Sequence, residues 1–380
     1  MAKKAAKKAA AKKAARAQAG PGGGVVVGGA MPVGVVRMTI PGEIPIQVVR
    51  SLEPANEFAK RLNVKPAKAV RRPAAAGQPV GTLTAPGQTS TPMDAETLSK
   101  LQAALAKYGP ELWRYPDVVG VGYGFKVTKG AMTAEPALCV QVLHKINDES
   151  LIPTERLIPK SLGGFAVDVT TQPRERAAVG NFGRNSFTNN PLVGGMGTLG
   201  AIMFIDGFAC AISNIHVWGS TIDREVYLPV ANGGPGSVPF GYTLRTAPSC
   251  DACTAVIDGD LADYDNRINF GAGPLVIQQS AEPVIGELVW KCGGMTGVTV
   301  GKVDKKFSRN FNGMNATYYT VNPAEPREVS RGGDSGSIVV NAQGQAVGLL
   351  WGGERDDSGQ ADYFAMDPMP RIQQELGFSW

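Results

Sequence analysis

Three runs between residues 118 and 169 alternate apolar with small or polar positions: 118–127 (VVGVGYGFKV), 137–145 (ALCVQVLHK) and 165–169 (FAVDV). A period of two puts successive side chains on opposite faces of an extended chain, so these runs predict strands. Just before them the period changes. Leu98, Leu101, Leu105 and Tyr108 recur at three- and four-residue spacing, which lines one face of a helix over 94–108. Asp94 is placed to cap its start and Gly109-Pro110 to stop it. Helix and strands together predict a small α/β layer over about 94–172.

From about residue 185 short apolar runs are cut by Gly, Asn and Asp roughly every ten residues: 199–205, 208–213, 225–230, 253–257, 284–290, 297–303, 317–321, 337–341 and 346–351. Regular short strands with glycine turns predict an all-β barrel or sandwich. The 48 glycines and 27 prolines suit that architecture better than long helices. At the end, Asp367-Pro368 before Met369–Leu376 reads as an N-cap, a first-turn proline and a short amphipathic helix.

The first 92 residues read differently. Residues 1–20 repeat Ala and Lys up to Gly20-Pro21-Gly22-Gly23-Gly24, and 21–92 are rich in Gly, Pro, Ala and Thr. Within them a short alternation at 35–40 suits a strand, and 54–62 suits a short helix. The remainder is expected to be a disordered basic tail and linker. The chain therefore divides into 1–92, 93–173 and 174–380.

Charge sharpens this division. The net charge is +5. Removing the seven cations of residues 1–16 from the 38 Lys and Arg leaves 31 against 33 acids, a net of −2. A nearly neutral body argues against a nucleic-acid-binding protein as a whole. Only the tail, residues 1–16, offers a weak contact to nucleic acid. No run of 18 apolar residues occurs, so no spanning helix and no membrane partner are expected. The charged start lacks the compact apolar run of a signal peptide. Five cysteines, an odd number, do not describe a disulfide framework. A cytoplasmic protein is expected.

The sharpest chemical motif is Gly332-Gly333-Asp334-Ser335-Gly336-Ser337. A serine hydroxyl attacks only when a base takes its proton. Glycines before it let the chain turn tightly and aim amide N–H groups at a carbonyl oxygen under attack. Gly333 and Ser335 would supply that oxyanion hole. The base must be a histidine, and there are two. His144 sits inside a predicted strand and suits packing or the surface. His216, in Ala211-Ile212-Ser213-Asn214-Ile215-His216-Val217, follows an apolar strand through a short polar step. A carboxylate should orient its imidazole. Asp251 stands at the mouth of the apolar run 253–257 and is the leading candidate, with Asp258 and Asp260 at the far end and Asp223 as rivals. Asp223 is expected in a loop with a local ion pair. Cys250 and Cys253 form a lone C-x-x-C, read as two small buried thiols.

The order His216, Asp251, Ser335 is that of chymotrypsin-like peptidases. The sequence resembles the trypsin-like serine peptidase superfamily and, within it, the bacterial and plant narrow-leaf-like branch. The resemblance spans about 118–380. It rests on Ser213-Asn214-Ile215-His216-Val217 and the Gly-Asp-Ser-Gly-Ser run. Val118–Val127, Ile158-Pro159 leading to Val167-Asp168-Val169, Gly197-Thr198-Leu199-Gly200 and Gly297–Val303 add to it. It implies a mainly β chymotrypsin-like double β-barrel, two six-stranded barrels with the triad in the cleft between them. His216 and Asp251 would sit on the first barrel and Ser335 on the second. It also implies a protein or peptide substrate and no metal or organic cofactor, and it leaves a homo-oligomer open. By the same resemblance Val329, six residues before Ser335, would floor the primary pocket. Trp351, Gly352 and Gly353 would wall it, with Asp362 near the other edge. The uncharged Val329 suggests a preference for medium apolar side chains. Two departures stand out. Val217-Trp218 replaces the cysteine common after the histidine in secreted members, and Gly294-Met295 precedes Thr296-Gly297 where an Arg-Thr-like pair is expected. No activation site that would free an N-terminus for Asp334 is evident.

Overall fold

The computed structural model describes residues 35–38, 46–49, 54–62, 83–85, 88–128, 131–143, 145, 152, 156–171, 174–175, 187–190, 195–228, 238–247, 249–257, 267–270, 274–311, 314–325, 328–355 and 361–380. The tail expected to be disordered, together with His144, Asp258 and Asp260, lies outside the described residues. All described residues belong to one compact unit.

The chain begins with an antiparallel pair, β1 (Val35–Met38) and β2 (Ile46–Val49), then helices α1 (Ala55–Leu62) and α2 (Ala95–Leu112). Strands β3 (Val118–Thr128), β4 (Ala131–Val142), β5 (Ser161–Leu162), β6 (Phe165–Thr171) and β7 (Arg174–Glu175) follow. The next seven are β8 (Phe187–Asn190), β9 (Gly195–Thr198), β10 (Ile202–Ile205), β11 (Phe208–Ser213), β12 (Glu225–Leu228), β13 (Val238–Ala247) and β14 (Ala252–Ile257). A single helical turn, α3 (Ile215–Trp218), follows β11. A short pair, β15 (Arg267–Asn269) and β16 (Pro274–Val276), leads to the last six strands. These are β17 (Leu288–Gly293), β18 (Gly297–Phe311), β19 (Met314–Pro323), β20 (Ile338–Asn341), β21 (Ala346–Arg355) and β22 (Ala361–Pro368), with α4 (Met369–Leu376) after them.

The fold is mainly β. The last six strands close on themselves in the order β17-β20-β21-β22-β19-β18, with β18 pairing back to β17. Strands β8–β14 form a seven-stranded antiparallel sheet, ordered β10-β11-β14-β13-β12-β8-β9. Alternation explains how both stay dry. Val289, Val339 and Phe364 point into the six-stranded barrel, while Trp290, Val340 and Leu349 point out against Met203, Ile212 and Val256 of the seven-stranded sheet. The other face of that sheet buries Ala209, Ala211, Cys253 and Ala255 with Trp218 and Phe240. Each fully buried large apolar side chain contributes roughly 1.5–3 kcal/mol over its exposed state.

The α/β layer extends the barrel. β3 pairs antiparallel with β18, from Lys305↔Gly124 to Ser308↔Val121. The alternating glycines of 118–127 allow that approach, because a Cβ on Gly122 would lie 2.0 Å from the Lys306 carbonyl oxygen. β4 then pairs with β3, β6 runs parallel to β4, and α2 packs on β3 and β4. One sheet therefore runs continuously from layer to barrel. A buried cation locks the join: the Lys305 ammonium lies 3.0 Å from Asp304 and 3.2 Å from Asp168 of β6.

Two local expectations need correction. Helix α2 starts at Asp94, whose carboxylate accepts the Thr97 N–H at 2.8 Å, but it runs through Gly109-Pro110 to Leu112. Pro110 sacrifices one helical hydrogen bond. The last turn survives because Leu112 is fully buried and the Trp113 N–H reaches the Gly109 carbonyl at 3.0 Å. Asp367 does not cap α4. It belongs to β22, is buried, and is turned to a different task.

Candidate active site

Antiparallel register builds the first half of the site. β11 and β14 pair Ser213↔Cys253, at the last residue of one strand and the second of the other. Residues just after Ser213 and just before Cys253 must therefore meet at the same end of the sheet. The chain leaves β11 through Asn214, turns once in α3 and stops at Gly219, whose φ of 89° suits glycine. That turn lays His216 against Asp251. The Asp251 carboxylate accepts the His216 backbone N–H at 3.1 Å with Oδ1 and contacts the imidazole Nδ1 with Oδ2. Asn214 fixes the partner strand by donating its Nδ2 to the Asp251 carbonyl at 2.5 Å. Both side chains are nearly closed to water, 11% exposed for His216 and 6% for Asp251. The rival Asp223 is engaged elsewhere. Its carboxylate takes both guanidinium nitrogens of Arg61 in α1, at 2.7 and 2.9 Å, so its ion pair is with a residue 162 positions away and not the local one expected.

The second half is the turn 331–337 before β20. Gly333 has φ 103° and Gly336 φ 93°, values that L side chains rarely adopt. At Gly336 a side chain is excluded outright, since a Cβ would meet the Thr198 carbonyl oxygen at 2.2 Å and Ser213 Oγ at 2.4 Å. The turn is held by Ser337 N–H to the Asp334 carbonyl at 3.0 Å and Gly336 N–H to the Leu350 carbonyl at 2.8 Å. Ser335 Oγ lies 3.5 Å from the Trp351 carbonyl. Among the described residues, the backbone N–H groups of Gly333 and Ser335 donate to no backbone carbonyl.

Thr198, at the end of β9, stitches the halves together. Its N–H donates to the Ser335 carbonyl at 2.7 Å and its hydroxyl to the Gly333 carbonyl at 2.8 Å. Its own carbonyl accepts Ser213 Oγ at 2.9 Å, on the strand that leads to His216. Gly197 makes the contact close: a Cβ there would fall 2.4 Å from Val217 and 2.8 Å from the Ser335 carbonyl oxygen.

Three charged residues complete the site: Asp334, read from sequence as part of the serine motif, Asp367, read as a helix cap, and Lys291, which the sequence reading did not single out. Asp334 points away from Ser335 into the protein, where its carboxylate meets the Lys291 ammonium of β17 at 3.1 Å; both side chains are fully buried. It also accepts the N–H groups of Met295, Thr296 and Arg331 and the Thr296 hydroxyl. Burial pushes the Asp334 carboxyl up, but Lys291 and these donors overcome it and hold the group below its ordinary range. Burial pulls the Lys291 ammonium below its ordinary range, against the pull of Asp334. Gly293 leaves the room, since a Cβ there would lie 2.3 Å from Asp334 Oδ1. The sequence signal was a lone lysine inside the apolar run LVWKCG.

Asp367 stands behind Asp251. Its Oδ2 accepts the Asp251 backbone N–H at 2.8 Å, and Arg309 lies 3.4 Å from its Oδ1. Burial raises its pKa to about 6, against the favourable charges of Arg309 and Arg371; the Asp251 charge pushes the same way as burial. The linkage is direct. Unfolded, the carboxyl titrates near 3.8. The stability it contributes is complete below that pH and is lost as pH rises through about 6. Wild type is expected to lose on the order of 2–3 kcal/mol more than Asp367→Asn between pH 4 and pH 7. Urea unfolding at the two pH values measures this, and parallel profiles would contradict it.

The remaining sequence candidates are placed as follows. Val329 is 1% exposed and packs in the barrel core, its carbonyl accepting the Thr299 hydroxyl at 2.8 Å. Trp351 is also 1% exposed and packs edge-on to Tyr318 under Arg309. Gly352 and Gly353 lie in β21. Cys250 and Cys253 are free, buried and in different apolar clusters. Burial pushes both thiols well above their ordinary range, which leaves them unreactive.

No model of a known protein family matches the chain, and no curated protein matches it by sequence. Solved structures do. One, described as a glutamic acid specific serine protease that utilizes a novel histidine triad in substrate binding, is 15% identical. The match covers 51% of this chain and 97% of that one, with a TM-score of 0.41. Thermobifida fusca protease A is 18% identical over 52% of this chain and 96% of its own, TM-score 0.39. An alpha-lytic protease homolog, N4, is 23% identical over 52% and 98%, TM-score 0.39.

Proposed function

We propose that the chain is a serine endopeptidase acting through His216, Asp251 and Ser335. The observation that carries this reading is the Asp251 carboxylate bound to both the backbone N–H and the Nδ1 of His216, on a sheet tied through Thr198 to the Ser335 turn. Ser335 Oγ attacks the substrate carbonyl carbon and its proton passes to His216 Nε2. Asp251 keeps the other imidazole proton on Nδ1 and stabilises the imidazolium. The N–H groups of Gly333 and Ser335 donate to the oxyanion. Collapse of the tetrahedral intermediate breaks the C–N bond, and His216 returns the proton to the leaving amine. Water, activated by the same imidazole, then releases the acyl group from Ser335. The chemistry draws on no cofactor, and protein or peptide is the substrate. The resemblance to the narrow-leaf-like branch supports the same reading.

Fluorophosphonate labelling tests it. The probe phosphonylates a serine only when a base activates it. Wild type is expected to label, and Ser335→Ala and His216→Ala are each expected to abolish labelling in the folded protein. A folded wild type that stays unlabelled would overturn the peptidase reading.

A further inference from the structure

Strand β21 borders β20 on one side only as far as Leu349, which pairs with Ile338. Beyond that point β20 has ended, because the chain there is the Ser335 turn. On its other side β21 stays paired with β22, through Gly352↔Ala365 and Gly353↔Phe364. The side left by β20 is a free sheet edge that begins at the nucleophile. Leu350 and Trp351 mark the junction: their carbonyls face the Gly336 N–H at 2.8 Å and Ser335 Oγ at 3.5 Å.

That edge is occupied. β7 pairs with it antiparallel, Glu175 opposite Gly352 and Arg174 opposite Gly353. The polarity matters. Because β7 is antiparallel to β21, its C-terminal end points from Gly353 toward Trp351 and Ser335. A peptide that presents its carbonyl to Ser335 from this edge must run the same way, with its acyl half along β21. Backbone pairing to a sheet edge is a general mode of peptide capture and reads no side chain at the paired positions. Glycine at both 352 and 353 keeps the edge clear.

On the peptidase reading, the edge of β21 at Gly352–Gly353 is where the acyl half of an extended substrate pairs; we propose that the chain's own β7 occupies that edge as an autoinhibitory strap, so that substrate reaches Ser335 only when β7 leaves. This inference rests on the peptidase reading for its consequence and on strand pairing for its geometry. The strap is tethered just upstream, where the Tyr363 hydroxyl of β22 donates to the Thr171 carbonyl at 2.8 Å. Thr171 ends β6, which is built into the layer joined to β18. A tether of this kind gives the strap a high effective concentration at the edge. Among the described residues the strap is held by two backbone pairs. Ser335 is 3% exposed with β7 in place.

The test uses the full chain in two backgrounds. In Ser335→Ala, a fluorescein-labelled peptide with this chain's own sequence 170–178 is titrated by anisotropy. Proline at both strap positions, Arg174→Pro with Glu175→Pro, removes the strap's N–H donors and is expected to tighten peptide binding at least about tenfold. Tyr363→Phe, which leaves β7 unchanged in sequence, is expected to move binding the same way by a smaller factor and guards against a misfolded proline variant. With Ser335 present, hydrolysis of a quenched-fluorescent peptide library should rise in the same order. Equal peptide binding by parent, proline and Tyr363→Phe proteins overturns the inference. Tighter binding with no fluorophosphonate labelling in any variant upholds the edge site and sinks the peptidase reading. Labelling with unchanged binding does the reverse.

Discussion

Lys291→Met is expected to destabilise the protein by about 3–5 kcal/mol and to abolish labelling of Ser335. The loss follows from burial. Asp334 is fully enclosed, and Lys291 is the cation at its carboxylate. Removing one partner leaves a buried charge without its counterion, which costs far more than the intact pair contributes. The damage reaches the chemistry because Asp334 immediately precedes Ser335 and holds the turn through the Arg331, Met295 and Thr296 N–H groups. The pH dependence tests the cause. In wild type the Asp334 carboxyl sits below its ordinary value, so its contribution is present at neutral pH and is lost as pH falls through that lowered pKa. In the methionine variant burial acts without the ammonium, the pKa rises above 3.8, and stability is lost as pH rises instead. The gap between the two proteins should therefore narrow in acid. Lys291→Met combined with Asp334→Asn should recover most of the stability. Urea unfolding at pH 4 and 7, alongside labelling, measures both effects, and a gap that widens in acid would refute the assignment.

Asp251→Asn is expected to lower turnover by about 10⁴ while leaving stability nearly unchanged. The carboxylate serves two donors at once, the His216 backbone N–H and Nδ1. An amide has one acceptor oxygen. With that oxygen on the backbone N–H, its NH₂ faces Nδ1 and forces the imidazole proton onto Nε2. The imidazole then donates toward Ser335 and cannot take its proton. Peptide hydrolysis and fluorophosphonate labelling should fall together, with thermal unfolding as the control. A loss of tenfold or less would return the orienting role to another group. Asp223 is a poor substitute while Arg61 holds it.

The strands most legible in the sequence are those buried on both faces. The run 208–213 coincides with β11, and 253–257 falls within β14, because their alternation is read by two apolar surfaces at once. Strands interrupted by a turn-former or by an acid were harder to read, and β13 and β22 were missed. β13 holds Pro239 and Gly241, and β22 holds Asp362 and Asp367. In β22 the acid that looks like a helix cap is buried because Arg309 and the Asp251 N–H wait for it on other strands. Nothing near Asp367 in the chain announces partners 58 and 116 residues away.

The candidate site divides along the same line. Gly-Asp-Ser-Gly-Ser carries its own geometry, since the glycines are needed locally for positive φ. His216 and Asp251 were legible as types at strand ends. Their meeting is a product of the Ser213↔Cys253 register, which is set by packing of two apolar faces. Lys291, Thr198 and Asp367 act through hydrogen bonds and charge pairs across strands. Such contacts are short in space and long in sequence, so a linear pattern holds no trace of them. By itself the chain determined a mainly β body, its basic start and a glycine-framed serine turn. Tertiary structure alone decided which carboxylates are buried, which cation meets Asp334, and that β7 lies along the free edge of β21. Each of those outcomes depends on desolvation and strand register, and both arise only when distant segments pack.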